Sequence, residues 1–245
     1  MAEALIAKLR QFTPISARDE RALRELSSGH ARLYEAGAEI VREGDALEAV
    51  RIVLSGWACR YKRLPDGRYQ AIGLLLPGDV CTHGVGVVAT MDYAIEALGA
   101  VTVIEIAPAA FAALLDGSPT LARAFACEEQ QCAALQREWA LNLGRRDARE
   151  RLLHLFSELF HRLHDIGLTQ DNSYDCPLKQ EMLADVIGMT SVHVNRVLQA
   201  LRREKLIELR GRQLTILDRL ALERMAQFNP SYLRLGSVDA GSGID

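Results

Sequence analysis

The feature that most limits what this chain can fold into is a rhythm of glycines. Gly44, Gly56, Gly67 and Gly78 stand 12, 11 and 11 residues apart, and three of them sit in the turn pairs Gly44-Asp45, Asp66-Gly67 and Gly78-Asp79. Such pairs mark sharp turns, because Gly and Asp tolerate backbone angles that other residues avoid. Between them lie short β-forming runs, Val50–Leu54 and Gln70–Leu76, and Ala100–Ile106 adds a further strand. Short strands at this spacing predict an antiparallel barrel, roll or sandwich. After Pro108 the period changes: residues 109–115 predict a short helix, and Ser118-Pro119 opens a long one, with proline near its favoured first-turn position.

Composition narrows the class. The chain has 245 residues, 49% of them hydrophobic and 25% charged, with a net charge of −3. That is an ordinary folded composition, long enough for two units. No run approaches the 18 or so uninterrupted apolar residues of a membrane span, and the charges within MAEALIAKLRQF argue against an export signal. Five scattered cysteines (Cys59, Cys81, Cys127, Cys132, Cys176), an odd number, suit a reduced, cytoplasmic chain. The charge is uneven: residues 1–144 sum to −4, 145–235 to +3 and the last ten to −2. An acidic front and a basic back suggest two tasks, the second with an anionic partner.

Within the long helix, Leu121, Phe125, Glu128, Cys132, Leu135, Trp139 and Asn142 follow an alternating 4-3 spacing, which predicts a seam against another helix. The alternative is that this face lies on the chain's own β-domain. Gly144 ends the run, a second amphipathic helix carries Leu152 to Leu163, and Thr169–Asp175 reads as a polar loop.

The segment Lys179–Arg203 carries the strongest functional signal. KQEMLADVIG is a short helix with Leu183, Ala184 and Ile187 inward. Gly188 supplies a left-handed turn, and Ala184 is small enough for a second helix to cross closely. Thr190 is an N-cap for that second helix, and Val194, Val197, Leu198 and Leu201 form its buried stripe. Ser191, Val192, His193, Asn195, Arg196, Gln199, Arg202 and Arg203 are left outward. Arg pairs with guanine and Asn or Gln with adenine in a major groove, so this face suits base reading. Downstream, residues 206–217 predict a hairpin whose Arg210-Gly211-Arg212 tip suits phosphate contact. A bare helical hairpin with a solvated face would not need that basic tip.

With these residues in place, the chain resembles the Crp/Fnr family of bacterial transcription regulators over nearly its whole length. EIVREGD, LSGWACRYK and LLLPGDV match the family's β-roll, the long helix its dimerisation helix, and Cys176–Leu217 its winged helix-turn-helix. The resemblance implies an α+β fold: an antiparallel β-roll of jelly-roll type (1–117), a dimerisation helix (118–144), a winged helix-turn-helix (145–235) and a tail (236–245). It implies a homodimer on double-stranded DNA with a two-fold-related operator, and RNA polymerase as a further partner. Ser191, Val192, Asn195 and Arg196 occupy the base-reading positions, with Gln199 on the same face. Lys179, Thr190, His193, Arg210 and Arg212 fall at phosphate contacts, and Leu121, Phe125, Cys132, Leu135 and Trp139 in the dimer seam.

The departures are informative. The family's cyclic-AMP binders carry a Gly-Glu-Leu turn and an Arg-Ser pair, replaced here by Thr82-His83-Gly84 and Asp92-Tyr93. Members with an iron–sulfur cluster have closely spaced N-terminal cysteines, whereas none precedes Cys59 here. Val192 stands where many members have Glu, so their operator does not transfer. His83, Gly84, Gly86, Asp92 and Tyr93 are the expected effector pocket, for an unknown small molecule other than cyclic AMP. No cofactor or metal is expected: Cys81 and His83 read as ordinary β-roll residues, and His154 and His161, two turns apart, as solvated or capping histidines. No nucleophile–base set suggests an enzyme. The competing function is a β-roll regulatory subunit that acts through protein partners instead of DNA.

Overall fold

The computed structural model describes residues 2–234, so the tail assigned at 236–245 lies outside the described residues. Two helices lead, α1 (Glu3–Arg10) and α2 (Ala17–Ser27). Seven strands follow: β1 (Ala31–Tyr34), β2 (Glu39–Val41), β3 (Val50–Ser55), β4 (Ala58–Arg63), β5 (Tyr69–Leu75), β6 (Ala94–Ala97) and β7 (Val101–Ile106). They pair antiparallel into two sheets, β1-β7-β3 and β2-β6-β4-β5, the roll that the glycine spacing predicts. Gly78 shows why one of those glycines is needed. Its φ is +90°, and a Cβ there would stand 2.8 Å from the backbone oxygen of Ala4, so the turn after β5 can lie directly on α1.

Helix α3 (Pro108–Asp116) leads to α4 (Pro119–Arg145), capped by Ser118 and continuing one residue beyond Gly144. Helix α5 (Ala148–His164) opens on an Asp147 capping box. The C-terminal elements are β8 (Ser173–Asp175), α6 (Gln180–Ile187), α7 (Ser191–Arg203), β9 (Ile207–Arg210), β10 (Gln213–Ile216), α8 (Arg219–Met225) and a 3-10 turn at Pro230–Leu233. The expected polar loop at Thr169–Asp175 is therefore corrected, since its second half is a strand. Buried Tyr174 faces inward and donates to the Phe156 carbonyl at 3.2 Å. A three-residue strand with one apolar position leaves no alternation to read.

Three of the five residues assigned to the dimer seam, Leu121, Phe125 and Trp139, are instead buried within their own chain. Leu121 and Phe125 are buried with Leu5, Leu9, Ile52 and Ile104, between α1 and the roll. Trp139 is buried against α5, where its Nε1–H donates to Glu158 at 3.2 Å, and Asn142 meets His154 at 2.9 Å. Cys132 and Leu135 are half-buried, with Cys132 beside Arg60. The 4-3 spacing marks a buried face, and at Leu121 and Phe125 the cover is the alternative one, the chain's own roll together with α1; an apolar stripe does not reveal which surface covers it. His154 and His161 are also corrected. Both are buried in the α5 core: burial pushes the His154 pKa down to about 3, which leaves the ring neutral, and His161 bonds Glu223 at 2.9 Å.

Charged side chains tie these layers together. Lys8 on α1 contacts Asp79 and lies 3.1 Å from Glu128 on α4, while Arg162 on α5 lies 2.6 Å from Asp79 and 3.3 Å from Glu158. Lys8, Asp79, Glu128 and Glu158 are buried, and the Arg162 side chain is 8% exposed. Burial alone would favour protonated Asp79, but the charges of Lys8 and Arg162 outweigh it and hold its pKa below the usual carboxylate value. Removing one member of such a set strands the others in a dry site. Asp79→Asn should therefore lower stability at pH 7 by about 3–5 kcal/mol, measured by urea unfolding. Because the folded-state pKa is the lower one, Asp79 contributes fully above about pH 5, and its contribution fades as pH falls through the folded value. The gap between wild type and variant should close in acid.

Candidate nucleic-acid interface

Helices α6 and α7 form the expected pair. Leu183, Ala184 and Ile187 are buried on α6, and Gly188 adopts φ 67°, ψ 45°, where a Cβ would lie 3.0 Å from Leu143 Cδ2. The backbone conformation favours glycine at that turn, whereas the nearby Leu143 side chain could give way. Thr190 Oγ1 accepts the His193 N–H at 3.3 Å, capping α7. Val194, Leu198 and Leu201 are fully buried, which turns the opposite face of α7 outward. On it Ser191, Val192, Arg196 and Gln199 are exposed and Asn195 half-buried, so the five residues expected to read bases share one surface. No described residue bonds the side chains of Asn195, Arg196 or Gln199. Lys179, exposed, and half-buried His193 flank the two helix starts, and the Thr190 hydroxyl already serves as a cap.

The wing is the β9–β10 hairpin, in register Arg210↔Gln213 to Ile207↔Ile216, with β8 as its third strand. Gly211 takes φ +59° at the tip. Both tip arginines are paired: Arg210 lies 2.6 Å from Glu208, and Arg212 grips Asp175 through Nε at 3.0 Å and Nη2 at 2.6 Å. All four groups are well exposed, so water competes for each pair and a phosphate can take the place of either carboxylate. Of these partners, Glu208 lies two residues from Arg210 and was within reach of the sequence, whereas Asp175 lies 37 residues from Arg212 on a strand that the sequence did not show.

The five residues of the expected effector pocket do not converge. His83 and Gly84 line a cavity of about 350 Å³ walled by Val50, Val80, Phe111 and Phe125, with α3 and α4 on one side. His83 Nε2 bonds Glu128 at 2.8 Å across that cavity's edge. Gly86 belongs to the exposed loop beyond. Asp92 is exposed, and its carbonyl accepts from Lys62. Tyr93 turns into the roll and donates to the Cys81 carbonyl at 3.0 Å. Cys81 is buried in that interior, its thiol pushed up to about 12 by burial, whereas His83 faces α4. Among the described residues no cluster of His, Cys, Asp or Glu could hold a metal ion, and no helix is long and apolar enough to cross a membrane.

Two side chains that sequence reasoning passed over organise this region. Arg60, buried on β4, donates to Cys132 Sγ at 2.7 Å and to the Val80 carbonyl at 2.5 Å, with its guanidinium 5.4 Å from the Tyr93 ring centre. Lys8 reaches Glu128 from α1, where it sits beside buried Leu5 and Leu9. A lysine amid the apolar stripe of a short helix was the available signal, and Glu128 and Asn142 were its counterparts in the α4 stripe.

A roll of two antiparallel sheets joined by a long helix to a winged helix-turn-helix defines a class of DNA-binding regulators. The comparisons with known proteins agree. Residues 31–118 match the cyclic nucleotide-binding domain model and residues 150–225 the Crp-like helix-turn-helix model. The chain is 30% identical over 193 residues to the transcriptional activator protein FnrL of Cereibacter sphaeroides, covering 78% of this chain and 77% of that one. It is 29% identical over 219 residues to the nitrogen fixation regulation protein FixK of Bradyrhizobium diazoefficiens, covering 89% and 91%. The solved structure of FixK2 from Bradyrhizobium japonicum superposes with a TM-score of 0.68 at 25% identity, covering 80% of this chain and 96% of that one. The chain belongs to the Crp/Fnr family of transcription regulators. It is a DNA-binding protein, and the reading of a β-roll subunit that acts without DNA is set aside.

Two substitutions separate the roles assigned by position. Arg196→Ala should cost about 1–3 kcal/mol of preference for the operator over random duplex per half-site. Arg212→Ala should weaken all sequences alike and lower the slope of log K against log salt by about 0.9 for each phosphate that is no longer held. Competition binding at several salt concentrations reads both. Full operator preference in the first variant would show that the reading face is misassigned.

Proposed function

We propose that this regulator acts as a homodimer on a two-fold-related operator, with Asn195, Arg196 and Gln199 reading base edges in successive major grooves. The observation that carries this reading is the outward face of α7, where three polar side chains suited to base edges have no partner among the described residues. Two such helices would engage half-sites about one helical turn apart. Lys179, Arg210 and Arg212 would fix the register on phosphates, the two arginines by exchanging their carboxylate partners for DNA.

Since Leu121, Phe125 and Trp139 are buried within the chain, the dimer contact is assigned to the neighbouring face of α4. The row one residue later, Ala122, Ala126, Glu129, Ala133, Gln136 and Ala140, repeats the 4-3 spacing; Ala126, Glu129 and Ala140 are exposed, while Gln136 donates to the Ile72 carbonyl at 2.6 Å. Alanines let two helices approach closely, and a carboxylate introduced between them would be stripped of water. The double variant Ala126→Glu, Ala133→Glu should sediment as a monomer with unchanged helix content, and its operator affinity should fall because two half-sites are no longer bound together. An intact dimer would refute this face.

A small-molecule effector, in this reading, enters beside His83, where the cavity measures about 350 Å³. Cyclic AMP is not expected to bind the roll. Asp92 does not support that view, since it faces solvent; its support is that Arg60, the guanidinium beside Tyr93, is buried and already engaged with Cys132 and the Val80 carbonyl, and so is not free to hold a phosphate. Calorimetry with cyclic AMP at millimolar concentration should give no binding heat, and micromolar affinity would refute the proposal.

A further inference from the structure

Val192 is the odd residue on the reading face. It stands in the first turn of α7 with 72% of its surface exposed, while Val194, Leu198 and Leu201 of the same helix are fully buried and Val197 packs on the core. An isopropyl group held in water adds nothing to the fold, and valine is a slightly poor helix former because its χ1 is restricted. That restriction also points its two methyl groups in one direction, so little freedom is lost when another surface closes on them. Val192 lies three residues before Asn195 and four before Arg196, which stacks the three side chains on one side of the helix.

A valine in a major groove can recognise very little. Phosphates and polar base edges call for hydrogen bonds that it cannot make. Placed against the amino group of cytosine or adenine, it would strip water from a donor and return no bond. Thymine alone presents an apolar group there, the 5-methyl. We propose that Val192 sets operator specificity by packing on the methyl group of one thymine in each half-site. Four residues of helix rise about 6 Å, so this thymine lies within about two base pairs of the base that Arg196 contacts. The selection works in both directions, through apolar contact at thymine and desolvation without return at other bases. It rests on the α7 face being the one that enters the groove.

The test removes single methyl groups. Operators are selected from a random duplex pool with the full-length chain, and the retained site is resynthesised with deoxyuridine in place of each thymine in turn. At one position per half-site, wild type should lose about fourfold in affinity, or about fifteenfold when both half-sites are changed. V192S, altered at an exposed position and checked for an unchanged melting curve, should bind the thymine and deoxyuridine duplexes equally. V192T, which keeps one methyl, should fall between them. If wild type ignores deoxyuridine at every selected thymine, or V192S loses as much as wild type, the inference is overturned while the DNA-binding reading stands. A chain that selects no sequence at all overturns both.

Discussion

Asp79 is a carboxylate that water scarcely reaches, and the placement of the other layers depends on it. It sits in the turn after β5 and takes Lys8 from α1, 71 residues away, and Arg162 from α5, 83 residues away, along with the Leu76 N–H at 2.7 Å. Drying such ions costs several kcal/mol each, so the set contributes little net stability. Its force is conditional: the cost is offset only when every partner is in place. The leading helix, the roll and the first helix of the DNA-binding half are thereby held in one arrangement. The apolar core agrees with this, since one buried cluster runs from Leu74 and Leu76 on the roll to Phe156, Leu198 and Leu214.

Helix α4 is the element that arrangement constrains most. Along one side it contacts the N-terminal core, then Lys8 and His83 through Glu128, then Arg60 through Cys132, then α5 through Trp139. Each contact is of a different chemical kind, so the helix cannot turn about its axis without breaking several at once. A step of one residue rotates the view by about 100° and reaches the alanine side. A single 27-residue helix thus serves the inside of the molecule and presents a separate surface to the outside.

Much of this was legible in the chain. The glycine spacing identified the roll, and the stripe of Val194, Leu198 and Leu201 separated the inward from the outward side of α7, because period and turn chemistry are local properties. What could not be read depended on distant partners. The 4-3 stripe announced a buried face without saying what covers it, β8 was too short to show alternation, and Asp175 could not be joined to Arg212 before that strand was known. The effector residues failed for a related reason. His83 and Tyr93 lie ten positions apart in a region of turns, and there the period gives no guide to which side each faces, so His83 turned to α4 and Tyr93 into the roll.

At the wing, Arg210 and Arg212 arrive already engaged by Glu208 and Asp175. A regulator searches among roughly 10⁶–10⁹ competing stretches of random DNA, and its dwell time on each is governed by phosphate contacts. A tip that keeps part of its positive charge inside its own pairs holds any passing duplex less firmly. The α7 face, which carries no such pairs, is unaffected by this. On the proposed reading of the wing, such pairs would shorten the stay on wrong sequences relative to what the count of arginines suggests.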